Sequence, residues 1–242
     1  MKIIVTLIVL LVFTVFAQAQ QFEKDVFKTS EGELEITFIA HGTLMMEFDG
    51  KVIHIDPVSW YADYATMPKA DLVLITHEHG DHLDAKAIDA VKKEGTQVVL
   101  TKTCNEKYAG TAVLSNGESG TFAGIKVDAV PAYNIKHERD AGQPFHPKGV
   151  GNGYVLHFGD KKVYVAGDTE NIPEMAGLKD IDVAFLPMNL PYTMTPEMVA
   201  DATKMFQPKV LYPYHFGETN TDELAELLKN QNKTELRIRN LK

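Results

Sequence analysis

The sequence is poor in three things, and each shortage excludes a class of protein. It holds a single cysteine, Cys104, in 242 residues, so no internal disulfide can form and the fold must rest on packing and on any bound metal. It is short of positive charge: 24 Lys and Arg stand against 33 Asp and Glu, a formal net charge of −9. A carboxylate-rich surface repels phosphate backbones, which argues against a nucleic-acid partner. The basic residues near the end, Lys229, Lys233, Arg237, Arg239 and Lys242, are interleaved with Glu223, Glu226 and Glu235 and read as a solvated face. The chain also lacks a long apolar run. Residues 3–16 fall short of the roughly 20 needed to cross a bilayer. With Lys2 before that run and Ala17-Gln18-Ala19 after it, residues 1–19 read as a cleaved secretory signal. Gln20 stands where lipid attachment would need a cysteine. The expected mature chain is therefore 20–242, one domain, periplasmic or secreted, with no stable membrane insertion after cleavage.

Histidine is concentrated where little else is. Thr76-His77-Glu78-His79-Gly80-Asp81-His82 directly follows the apolar Leu72-Val73-Leu74-Ile75. Extended backbone alternates with period two, so His77 and His79 point the same way and can share one cation. Asp81 and His82 fall where the strand turns toward a helix and point at a neighbouring position. Imidazole with carboxylate suits zinc, or manganese, iron or nickel, and two pairs on one turn suit one or two such ions.

The rest of the chain alternates strands, hairpins and helices. Residues 34–39, 44–48 and 52–55 read as strands, with Asp49-Gly50 a hairpin turn between the last two. Further strands are expected at 73–75, 98–100, 112–114, 125–130, 154–158, 163–166, 183–186, 210–212 and 236–238. Helices are expected at 84–93, stopped by Gly95, at 195–206, opened by Thr195-Pro196, and at 221–229. Periodicity alone gives α/β or α+β.

His-x-His-x-Asp-His resembles the signature of the metallo-β-lactamase superfamily, and its companions follow in order. Asp56 ends Val52-Ile53-His54-Ile55, Asp168 follows Val163-Tyr164-Val165-Ala166-Gly167, and His215 follows Val210-Leu211-Tyr212-Pro213-Tyr214. Ala40-His41-Gly42, Val130-Pro131-Ala132-Tyr133-Asn134, Phe145-His146-Pro147-Lys148-Gly149 and Tyr192-Thr193-Met194-Thr195 are similar to a subgroup of metal-dependent hydrolases. That subgroup is related in outline to ascorbate-phosphate lactonases and to phospholipase-D-type enzymes acting on N-acyl-phosphatidylethanolamine. The resemblance covers roughly residues 33–217. It implies a single-domain, four-layer αββα sandwich. It also implies that His77, His79 and a third group hold one metal, that Asp81, His82 and His215 hold another, and that Asp168 bridges them. Water acidified between the metals would attack a carbonyl or phosphoryl centre of a small-molecule lactone, ester, amide or phosphodiester, with Asp81 and Asp168 catalytic. The alternative is a binding or sensing module that holds metal without turnover.

Several positions stay open in the sequence. The superfamily commonly has a His after the strand ending at Val130, where this chain has Asn134; the substitute is His146 or His137, and the subgroup pattern favours His146. Asn134 is then free to reach substrate or the reacting water. Asp56 and His41 are expected behind the ligands, Asp56 orienting a histidine, with contact to metal or substrate, or a capped loop position, the open alternatives for His41. His54 and His157 alternate with apolar neighbours and belong on the outer faces of their strands. Lys136, Arg139 and Lys148 are either anion receivers or solvated loop charges, the latter preferred. Cys104 lies outside every motif and reads as a small buried apolar residue.

Overall fold

In a computed structural model, residues 21–140 and 142–242 are described. The expected signal segment at 1–19 lies outside them. Seven strands form the first sheet in sequence order: β1 (Glu23–Thr29), β2 (Gly32–Ala40), β3 (Thr43–Phe48), β4 (Lys51–Ile55), β5 (Leu72–Leu74), β6 (Gln97–Leu100) and β7 (Ala112–Val113). β8 (Ser119–Phe122) and β9 (Ile125–Ala132) begin the second sheet. A separate hairpin, β10 (Glu138–Asp140) and β11 (Gln143–Pro144), interrupts it, and β12 (Gly151–Phe158), β13 (Lys161–Val165), β14 (Val183–Pro187), β15 (Val210–Tyr214) and β16 (Glu235–Leu236) complete it.

Each sheet changes character across its width. β1 to β4 pair antiparallel, joined by tight turns such as Asp49-Gly50, both residues of which have positive φ. β4 to β7 pair parallel, as do β13 to β16. Parallel strands are covered on both faces, so β5 and β14 are apolar and buried throughout. Their carboxyl ends open toward one edge of the sandwich, where loops converge without breaking ladders.

Apolar side chains make three buried zones, which is what two sheets between two helical layers require. Leu34, Ile36, Phe38, Ile53 and Leu74 from the first sheet meet Val127, Leu156, Phe185 and Tyr212 from the second in the central one. The outer face of the first sheet is covered by α1 (Ala85–Val91), α2 (Lys102–Lys107) and the loop through Tyr64 and Ala70. Asp84 caps α1 by accepting from the Lys86 and Ala87 amides. Cys104 lies in this zone, fully buried, its thiol pushed up to about 11 by burial. The second sheet is covered by α3 (Pro196–Phe206), capped by Thr195, and α4 (Thr221–Leu228).

The placement of His54 is a partial correction. It does face outward from its sheet, beside Met45 and Val73 in register. That face is not solvent: His54 is fully buried against Tyr64 and hydrogen-bonds the Pro68 carbonyl at 3.0 Å. His157 faces outward and pairs with Asp128 at 2.6 Å.

Candidate metal centre

The site forms where the two sheets come together at the ends of β4, β5, β13 and β15. Three bonds stitch the sheets there: Asn152 N donates to Thr76 O at 2.9 Å, His215 N to His41 O at 3.0 Å, and the Tyr154 hydroxyl to Ile75 O at 2.8 Å. The first donates from the β12 backbone to the residue that precedes the histidine motif. Asn152 is itself held through its side chain, which donates to Leu114 O and accepts from Asn116.

Around this seam the predicted donors converge. His77 Nε2 lies 3.1 Å from His79 Nδ1, and His77, His79 and His146 each present a ligand atom within 4.8 Å of the others. Asp168 stands between this group and the next, its Oδ2 3.2 Å from His146 Nε2, 3.8 Å from His77 Nε2 and 3.5 Å from His215 Nε2. Its other oxygen, Oδ1, lies 3.5 Å from His82 Nε2. Asp81 Oδ2 is 3.5 Å from His215 Nε2 and 3.9 Å from His82 Nε2. His146, not His137, is thus the histidine brought to the first group. His137 turns away and lies against Glu170, Nδ1 to Oε1 2.9 Å.

His41 joins the donors rather than standing behind them. Its Nε2 is 3.3 Å from Asp81 Oδ2, its ring lies 3.6 Å from that of His215, and the three form a third group with ligand spacing. Asp56 does stand behind a donor. Fully buried, it accepts from His82 Nδ1 at 2.8 Å, from the Thr76 amide at 2.8 Å and from the Thr76 hydroxyl at 2.6 Å. Fixing Nδ1 as the protonated nitrogen turns His82 Nε2 into the site as the ligand atom.

Asn134 corrects the sequence reading. Its amide does not face the cavity where substrate or water would sit. Oδ1 accepts from His146 Nδ1 at 2.5 Å and from the His146 backbone at 3.0 Å, while Nδ2 donates to Glu170 at 3.1 Å and to Tyr192 O at 2.9 Å. Its place is to orient His146, as Asp56 orients His82. Glu170, two residues beyond Asp168, is the functional residue the sequence did not single out. Its carboxylate gathers the Ile135, Lys136 and His137 amides together with Asn134 Nδ2, and so shapes the loop leading to His146. A carboxylate after Asp168 in Gly167-Asp168-Thr169-Glu170 is the only signal the chain offers for it.

Backbone constraints fit the same picture. His41, Asp56 and His215 all sit at positive φ, a conformation non-glycine residues adopt at a cost of about 1–3 kcal/mol each. A Cβ on Gly42 would lie 2.7 Å from His82 Cε1 and 3.2 Å from His82 Nδ1, so only glycine lets this turn approach the His82 ring.

The donor chemistry fits divalent cations. His82 Nε2, His215 Nε2 and Asp168 Oδ1 are buried with no hydrogen-bond partner among the described residues, a costly state for polar atoms unless a further group completes them. Burial opposes charge on Asp168, but His215, His82 and His146 outweigh it and hold the carboxylate well below its usual range. Asp81 is likewise held low against burial, by His215 and His41. Burial and the neighbouring His82 push His77 well below the usual imidazole range, leaving it neutral with a free lone pair. Burial also opposes charge on His82, but Asp168, Asp56 and Asp81 raise it to about 9. The carboxylates that favour a proton on His82 Nε2 favour a cation there for the same electrostatic reason. Ionised carboxylates among imidazoles are the set a first-row metal takes. Above it opens a cavity of about 320 Å³ bounded by His41, Arg139, Phe145, Asn189 and Tyr192.

Comparison with known proteins gives the same family. Residues 35–215 match the model of the β-lactamase superfamily domain. The chain is 32% identical over 194 residues to a UPF0173 metal-dependent hydrolase of Pelotomaculum thermopropionicum, covering 76% of this chain and 85% of that one. It is 33% identical over 195 residues to one from Thermus thermophilus, with 76% and 84% covered. Among solved structures, a Parabacteroides distasonis protein assigned as a metal-dependent hydrolase is 53% identical, with TM-score 0.88, covering 92% of this chain and 100% of that one. Igni18, a metallo hydrolase from Ignicoccus hospitalis, is 25% identical with TM-score 0.69, covering 85% and 94%.

Proposed function

The chain belongs to the metallo-β-lactamase superfamily and is a metal-dependent hydrolase, and from that premise we propose that it is an exported zinc enzyme acting on a small ester, lactone, amide or phosphodiester. The observation that carries the reading is the position of Asp168, whose two oxygens lie within 3.8 Å of four imidazole Nε2 atoms belonging to both sheets. His77, His79 and His146 would hold one ion and Asp81, His82 and His215 a second, with Asp168 between them and His41 beside Asp81. Such ions supply Lewis acidity and bring water close to ionisation at neutral pH.

What the chain itself contributes is position and charge. Asp56 and Asn134 fix the rings of His82 and His146 so that each offers Nε2 inward. Asp81 and Asp168 bring two negative charges among the histidines, which lets two cations approach each other. The cavity above the donors has the size of a small-molecule site, at the low end of the usual several hundred Å³. Zinc is the default for mixed nitrogen and oxygen donors on availability and affinity, with manganese, iron and nickel the competitors. Export is supported by the charged, apolar and small-residue order of residues 1–19, and the acidic composition speaks against nucleic acid as substrate.

Elemental analysis of gently purified protein, followed by a panel of lactone, phosphodiester, amide and β-lactam substrates, tests the reading. At least one equivalent of transition metal and turnover of one class are expected. Full metal loading with no hydrolysis of any class would leave a binding module instead.

A further inference from the structure

We propose that Arg139 is the anion-recognition residue of this site, so that the substrate carries a carboxylate or phosphate close to the bond that is cleaved. The proposal rests on the metal-dependent hydrolase reading above and gives it a substrate class.

The structure separates the three basic residues of the loop after β9. Lys148 is engaged by Glu174 at 2.7 Å and lies over the Tyr133 ring. Lys136 is not among the residues bounding the cavity, whereas Arg139 is. Arg139 stands on the β10–β11 hairpin, its guanidinium 5.7 Å from the Phe145 ring centre, and Phe145 packs edge-on against Tyr192 at 5.0 Å. No carboxylate lies within ion-pair distance of it among the described residues, in a chain with nine more acidic than basic side chains. Its side-chain hydrogen bond goes to His79 Nε2 at 2.9 Å.

That bond cannot coexist with a cation on His79. The ring turns Nδ1 toward His77 Nε2, 3.1 Å away, so Nδ1 is the nitrogen facing the shared position. A neutral imidazole that ligates through Nδ1 carries its proton on Nε2. Nε2–H and the guanidinium N–H would then be two donors facing each other, and Arg139 must release. It is left one imidazole's breadth from the metal-facing nitrogen, with planar donors, no acceptor, and an aromatic wall beside it. A guanidinium fork in that setting matches a carboxylate or phosphate with two parallel hydrogen bonds.

The test compares metal-loaded wild type with Arg139→Gln and Arg139→Lys, using calorimetric titration with benzoate, phenylphosphonate and neutral benzamide, and elemental analysis of each protein. Arg139→Gln is expected to weaken one or both anions by about ten- to a hundredfold, the weight of a charge-assisted pair, with benzamide and metal content unchanged. Arg139→Lys should recover part of the loss, since it restores charge without the fork. Whichever anion loses more identifies the group on the substrate. Equal anion affinity in wild type and Arg139→Gln would overturn the proposal. So would loss of metal in Arg139→Gln, which would make Arg139 a positioning residue for His79. Wild type that takes up no metal would overturn the parent reading, and this one with it.

Discussion

His82 donates from Nδ1 to Asp56 Oδ2 across 2.8 Å with both side chains fully buried, and Asp56 is held in turn by the amide and hydroxyl of Thr76. The pair ties the end of β4 to the turn after β5 and leaves one imidazole nitrogen for a cation. Replacing Asp56 with Ala removes the acceptor that sets the tautomer. Metal affinity, read by competition with a chelator, should fall by about 10- to 100-fold. Unchanged affinity would mean that His82 is oriented by packing alone.

Asp168→Ala removes the carboxylate that faces both donor groups. Turnover should fall by orders of magnitude, and excess zinc should not restore it, because the positioning of the reacting water is lost together with metal affinity. Rescue by zinc to near the wild-type rate would reduce Asp168 to an ordinary ligand.

His146→Ala should weaken metal binding in the first group, with activity partly recovered by added metal. Asn134→Ala should do the same more mildly, since it frees the His146 ring without removing it. His137→Ala should leave metal content unchanged, because His137 lies against Glu170 and away from the donors. Metal titrations of the three variants decide the ranking. A silent His146→Ala beside a damaging His137→Ala would reverse the assignment.

His54 predicts acid sensitivity away from the site. Burial, only partly offset by the Pro68 carbonyl, pushes its imidazole down to about 4. Between pH 6.5 and 4 the unfolded chain therefore binds a proton that the folded form refuses. The stability His54 allows is complete above 6.5 and falls with pH through that window, by about 2 kcal/mol at pH 5. His54→Gln keeps a donor for Pro68 without the titration. Urea unfolding at pH 7 and pH 5, in the same metal state, should show a smaller loss in the variant than in the wild type.

The donors were legible because each stands at the end of an apolar strand, where composition changes abruptly within one or two residues. His77, His79, Asp81, His82, Asp168 and His215 all have that signature. What stayed hidden depends on partners distant in sequence. β1 is mostly charged or exposed and exists through its seven-residue register with β2. The expected strand alternation put His54 on the correct face, yet nothing in residues 52–55 tells that the loop through Tyr64 covers that face. Asn134 reads as free because its four side-chain hydrogen bonds reach three residues in other segments, His146, Glu170 and Tyr192. α2 is hidden for a local reason: at six residues it is too short to show a helical apolar period, and Cys104 is its one buried side chain.

The seam between the sheets has a consequence for the order of events in the life of the chain. His77, His79 and His82 arrive with the first sheet, Asp168 and His215 with the second, and His215 stands after all but the last strand and the last helix. The complete donor set therefore comes into being only after His215 has been made and the two sheets have closed on each other. A half-folded molecule presents only fragments of the site. Occupancy of both donor groups would thus require the two sheets to have closed.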